Sequence, residues 1–140
     1  MTLEPLYRAR FSPSERWSAA VTGSAGTEGQ DFLLTEGRCE GRIEGAWHAA
    51  NFPHVRTDSA LLPDFRGALV TDDGATILFA WQGYGLPVEG GPSRLVGSMT
   101  HICDDDRYRW LNTTLCAVEG EVRRPPEEGV EVVVDVFEVI

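Results

Sequence analysis

From Phe32 to Trp47 the charged residues Glu36, Arg38, Glu40, Arg42 and Glu44 alternate without a break with small or apolar ones: Leu33, Thr35, Gly37, Cys39, Gly41, Ile43, Gly45 and Trp47. A period of two places successive side chains on opposite faces of a β-strand and cannot form one apolar stripe on a helix. The stretch therefore reads as one long strand with a wet face and a dry face. Glycine recurs on the dry side at Gly37, Gly41 and Gly45. In a strand, glycine marks a bend, a bulge or the close approach of another backbone, which is how a long strand is coiled into a barrel.

The rest of the chain supplies partners for that strand. Leu3 to Phe11 alternates and reads as a first strand, with Pro5 favouring an edge or a strand start. Ser12-Pro13-Ser14 reads as a turn, Trp17 to Thr22 as a second short strand, and the polar, glycine-rich Gly23 to Gln30 as a loop. Asn51 to Pro63 has two prolines and no period, so it reads as an extended crossing segment. Asp72-Asp73-Gly74 between Asp64 to Thr71 and Ala75 to Tyr84 is a strong hairpin signal. Gly83 to Pro92 reads as a loop. Arg94 to Cys103, Thr113 to Arg123 and Val130 to Ile140 read as strands. Aspartates 104 to 106 ahead of Arg107 to Leu111 predict a short helical turn near 105–111.

The expectation is an all-β fold: a single antiparallel up-and-down barrel of about eight to nine strands, one domain over residues 1–140. Such a barrel is either a packed core or a cup for a small ligand.

Charge narrows the partners. With 22 acidic against 12 basic side chains the formal charge is −10, which disfavours nucleic acid and anionic membrane surfaces. The N-terminus carries no basic segment followed by an apolar run, and no stretch approaches the roughly 20 apolar residues of a membrane span, so a cytoplasmic location is expected. Three cysteines at wide spacings suit a reducing compartment.

The segments Glu36-Gly37-Arg38, Gly41-Arg42, Arg56-Thr57-Asp58, Leu62-Pro63-Asp64-Phe65, Thr71-Asp72-Asp73-Gly74-Ala75 and Arg107-Tyr108-Arg109-Trp110-Leu111-Asn112 occur in this order. In them the chain resembles the domain-of-unknown-function family 3237, from Leu3 to about Val122. The resemblance implies a calycin-like antiparallel β-barrel. It implies no particular chemistry, since barrels of this shape serve both as carriers and as cofactor-free enzymes.

Candidate site residues come from the residue types themselves. Asn51 to Asp64 gathers Asn51, His54, Arg56, Asp58 and Asp64 beside apolar residues, so polar groups there are expected to converge against an apolar wall. Arg56 would hold a developing negative charge and Asp58 would move a proton; the competing reading is a structural ion pair. Glu36 is a second acid/base candidate if one end of its face turns inward, and otherwise a surface carboxylate. His101 lies on the apolar Leu95, Gly97, Met99, His101, Cys103 face, where it is either an acid/base group or a hydrogen-bonded core residue. Tyr84 would donate its hydroxyl at the mouth or pack there. Trp17, Trp81 and Phe79, core candidates with Trp47 and Tyr7, would stack on a flat ligand if they line a cavity. His48, His54, His101, Cys39 and Cys103 match no metal-ligand spacing, and no nucleotide loop or serine elbow is present, so neither metal nor cofactor is expected.

The functional expectation is a cofactor-independent lyase, isomerase, hydratase or cyclase that transfers protons on an apolar aromatic or polyketide-like substrate held in the barrel. The alternative is a non-catalytic binding protein for a small hydrophobic molecule. A solid barrel serving as an interaction module is the third reading, and Pro5 with the apolar C-terminal strand leaves room for a homodimer.

Overall fold

In the computed structural model, which describes residues 1–127 and 129–140, alternating side chains face alternately into and out of a closed wall. The strands are β1 (Leu3–Gly23), β2 (Gly26–Gly41), β3 (Gly45–Asn51), β4 (His54–Val55), β5 (Leu61–Leu62), β6 (Asp64–Thr71), β7 (Thr76–Leu86), β8 (Ser93–Ile102), β9 (Cys116–Arg123) and β10 (Glu131–Val139). Eight of them run round in the order β1, β2, β3, β6, β7, β8, β9, β10 and back to β1, all antiparallel. This is an up-and-down barrel, as the patterning predicts, with two extra short strands in the segment read as an irregular crossing. β4 and β5 form a small hairpin that continues the wall beyond β6 by pairing with Gly85 of β7.

The inward set is the apolar half of each alternation. Tyr7, Ala9 and Phe11 of β1 meet Trp47, Leu69, Ile77, Phe79, Trp81, Met99, Val118, Val134 and Val136 from the other strands, all buried. The outward set, including Arg8, Arg10, Arg38 and Glu40, is exposed. At Gly37 an added Cβ would collide with the carbonyl oxygen of Arg10 and come within 2.6 Å of Phe11 Cα. Glycine there lets β1 and β2 press together and coil.

Several boundaries differ from the sequence reading. The alternating stretch is two strands: Gly41 adopts φ +135°, the chain turns over residues 42–44, and β3 begins at Gly45. Pro5 stands at the start of β1, as expected, where the strand is paired with β10 alone because pairing with β2 begins at Tyr7. It faces Phe137 beside a bulge at Leu6, where irregular pairing accommodates a residue without an N–H, and β10 is paired on both sides. Ser12-Pro13-Ser14 is no turn, because β1 continues through a bulge at Ser14 and pairs with β2 as far as Gly23 and Gly26. The expected 23–30 loop is therefore mostly strand. Among the described residues, β1 beyond Phe11 has no partner except β2, and β2 before Leu33 has none except β1, so a two-stranded ribbon projects from the wall.

One end of the barrel, the base, holds the turns at 42–44 and 72–75 and a 3-10 turn at Arg109–Thr113. The helical turn thus begins later than expected. Asp105 does not cap it; that carboxylate instead accepts the Arg107 backbone N–H and its guanidinium. Leu111 is fully buried as a plug, while Trp110 stays partly exposed under the Arg42 guanidinium, 5.2 Å from the ring centre. Asp73 accepts the Tyr108 and Thr71 hydroxyls, each at 2.5 Å, so the 71–75 hairpin and the 107–112 turn clasp each other. The Asn112 side chain accepts the Cys103 N–H at 2.8 Å and donates to the Cys103 carbonyl at 3.0 Å. Asn112→Ala is expected to lower stability by about 1–2 kcal/mol, because two partly buried backbone groups lose their partner; chemical denaturation measures it.

Candidate functional site

A site inside the barrel requires space between its walls. Phe11 stacks on Trp47 at 4.4 Å between ring centres, Trp47 meets Phe79 at 4.5 Å, and Phe65 stacks on Trp81 at 4.5 Å. Those rings cross the interior in contact with one another. Eight strands enclose a lumen about as wide as the side chains that fill it, and here bulky aromatics fill it. Trp81 and Phe79, expected as possible ligand platforms, are members of this stack. The Trp47 indole N–H donates to Thr35 Oγ1 at 3.0 Å, and the Thr35 hydroxyl donates to the Ala49 carbonyl.

His101 faces inward, as its alternation predicts, and is 4% exposed. Its Nε2 lies 2.8 Å from the Tyr7 hydroxyl, which also approaches Met99 Sδ at 3.0 Å, and its Nδ1 is 3.8 Å from Cys116 Sγ. Burial without a compensating charge holds the imidazole down at about 4. The same desolvation raises the Tyr7 phenol and pushes the Cys39 and Cys116 thiols up to about 11. The cluster is neutral near pH 7 and hydrogen-bonded within the core.

The other candidates lie outside the wall except Asn51, which shares the inward parity of Trp47 and Ala49 and sits opposite buried Phe65 at the rim. Arg56 and Asp58 form a bidentate pair at 2.9 and 2.7 Å in the exposed β4–β5 turn. That guanidinium sits 5.6 Å from the centre of the Tyr84 ring, on the outer face of β7. Its hydrogen bonds, with the Ala60 N–H, hold the Asp58 carboxyl at about 2. The turn is shaped by Ser59 at φ 71°. Glu36 stays on the outer face, 3.8 Å from His48 Nδ1, because no twist of the wall brings it inside. Asn51 accepts the Asp64 backbone N–H at 3.0 Å, tying β3 to the start of β6, and Asp64 accepts the Gln82 amide at 3.4 Å. Asp58, Arg56 and Tyr84 are therefore brought together, while Glu36 and His101 stand apart from them and from each other. Among the described residues, no three His, Cys, Asp or Glu side chains are placed to hold a metal ion.

Trp17 departs furthest from its expected place. It is 61% exposed on the ribbon, paired with Phe32, and that ring packs edge-on against Phe52. This aromatic row lies on the outer side of the wall, since Leu34 and Ala50, the next pair along, are outward as well. Beside it runs a shallow trough of about 540 Å³, floored by the small residues Ala50, Gly67 and Ala68 between Leu34 and Leu78 and bordered by Arg66, His48 and Glu36. Alternation across residues 15–22 and 27–32 carried the signal for the ribbon, but Gly and Ser near its tip masked it.

Three solved structures share this fold. A β-barrel-like protein (ABAYE2633) from Acinetobacter baumannii AYE is 24% identical, with TM-score 0.77, over 98% of this chain and 94% of that one. A conserved protein of unknown function, RPA1785 from Rhodopseudomonas palustris, is 20% identical with TM-score 0.74 over 100% and 99%. A protein of unknown function from Clostridium acetobutylicum ATCC 824 is 18% identical with TM-score 0.80 over the whole of both chains. A comparison with curated proteins gave no match. The family model described as "Protein of unknown function (DUF3237)" matches residues 1–139, reaching past Val122 to take in β10, and the chain belongs to that family.

Proposed function

We propose that this barrel is a non-catalytic binding module that works through its outer face beside the mouth, the end from which the ribbon projects. The observation that supports this reading is the filled interior set against an exposed aromatic row. The rings that would line a cup pack on one another, whereas Trp17 and Phe52 offer 61% and 44% of their surface to solvent next to an apolar trough. A contiguous exposed apolar surface of this kind is characteristic of interaction sites. Proton transfer has less support. It needs a carboxylate or imidazole facing a chamber, and Asp58 and Glu36 face solvent while His101 faces packed side chains.

Nile red, an uncharged apolar dye, tests the assignment at sub-micromolar protein. Wild-type protein is expected to bind it, and Trp17→Ser to bind it about tenfold more weakly, the equivalent of about 1.4 kcal/mol for one lost aromatic contact. Equal dye affinity in the two proteins overturns the outer-face reading.

A further inference from the structure

Resting on the outer-face reading, we propose that its occupant is a second copy of this chain, each copy laying its β1–β2 ribbon into the trough of the other. The ribbon is the first reason. The seven paired residues of each strand beyond the wall, Trp17–Gly23 against Gly26–Phe32, extend about 23 Å, with both edges unpaired among the described residues. A lone two-stranded ribbon is marginal in water and gains its stability from a third surface.

Charge supplies the second. Residues 18–27 contain no charged side chain, in a chain of net charge −10. Two copies that repel each other as wholes approach at least cost through this neutral segment. Beyond it Glu28 lies opposite Val21, on the face that carries Trp17, and the trough is bordered by Arg66. Both are exposed, and neither forms an ion pair among the described residues. Glu28 of one copy and Arg66 of the other are complementary.

Symmetry and area agree. Ribbon and trough belong to one continuous outer surface through Trp17, Phe32, Phe52 and Leu34. A two-fold axis therefore matches the same patch with itself twice, the isologous geometry of most dimers. Trp17, Val21, Leu34, Phe52, Leu78 and Ile102 are each about half exposed or more. Half of six such side chains, at about 150–200 Å² apiece, is on the order of 500 Å². The ribbon's backbone and small side chains bring this toward the roughly 800 Å² each partner buries in a stable interface.

Sedimentation velocity across micromolar concentrations tests the pairing on wild type, Glu28→Arg, Arg66→Glu and the double variant. Dimer is expected in wild type, weakened about tenfold or more by either reversal and restored in the double variant, with Nile red released as dimer forms. Monomer at every concentration, or a dimer indifferent to both reversals, overturns the proposal. Monomer with Trp17-dependent dye binding would leave the outer-face reading standing; dye binding independent of Trp17 would remove that reading as well.

Discussion

Trp47→Ala is expected to lower stability by about 3–5 kcal/mol, the usual range for truncating a buried aromatic, and to lower the melting temperature of a chain this size by roughly 10–20 °C. The side chain is 0% exposed, stacked on Phe11 and against Phe79, so few neighbours can collapse into the space it leaves. The Thr35 hydroxyl loses the indole donor but keeps its bond to the Ala49 carbonyl, so the effect is chiefly that of a cavity. Its sharper consequence concerns ligands. Millimolar indole is expected to raise the melting temperature of Trp47→Ala markedly by filling the new cavity and that of wild type far less, since in wild type only the outer face can take it. Thermal scans with and without indole measure both effects. Stabilisation of wild type by indole to the same degree would mean that the barrel is a cup after all, and the binding site would move inside.

Why the sequence could not decide between cup and core follows from what alternation encodes. It says that Phe11, Trp47, Phe79 and His101 point inward, and all four do. Whether they fill the lumen depends on how many strands close the wall and how far they tilt, which no single strand's pattern contains. The β6–β7 hairpin was legible because Asp-Gly has few conformational choices. The break at Gly41 was not, because the turn over residues 42–44 preserves the parity of alternation on both sides. At Ser14 the opposite happened: proline and serine read as a turn, while strand pairing absorbed them as a bulge. For the candidate site, Arg56 and Asp58 could be placed near each other from their spacing alone, and they are paired. Their side of the wall could not be read, because the irregular 52–63 segment has no period to fix it. Trp17 reads as a core candidate because large aromatics are usually buried, yet its strand runs past the last inter-strand pairing that could cover it.

Acid should erode this protein's stability in two separable stages, the first set by His101. Its folded value of about 4 lies below the ordinary 6.5 because burial disfavours the imidazolium. Between those two values the unfolded chain binds a proton that the folded chain refuses, so stability rises with pH across this window and is lost as pH falls through it. The gap of about 2.5 corresponds to about 3 kcal/mol in full, of which roughly 2 kcal/mol is gone at pH 4.5 relative to pH 7. Carboxylates held low by arginine, Asp58 and Asp105 at about 2, give up their contribution only below about pH 4, so they do not blur the first stage. Urea unfolding at pH 7 and pH 4.5 should accordingly show the roughly 2 kcal/mol difference in wild type and a much smaller one in His101→Gln, which cannot titrate. Equal pH dependence in the two proteins would mean that water reaches the ring in the folded state. A solvent-accessible imidazole 2.8 Å from the Tyr7 hydroxyl is the arrangement a proton-transferring site requires, so this one comparison separates a histidine that holds the core together from one that does chemistry in it.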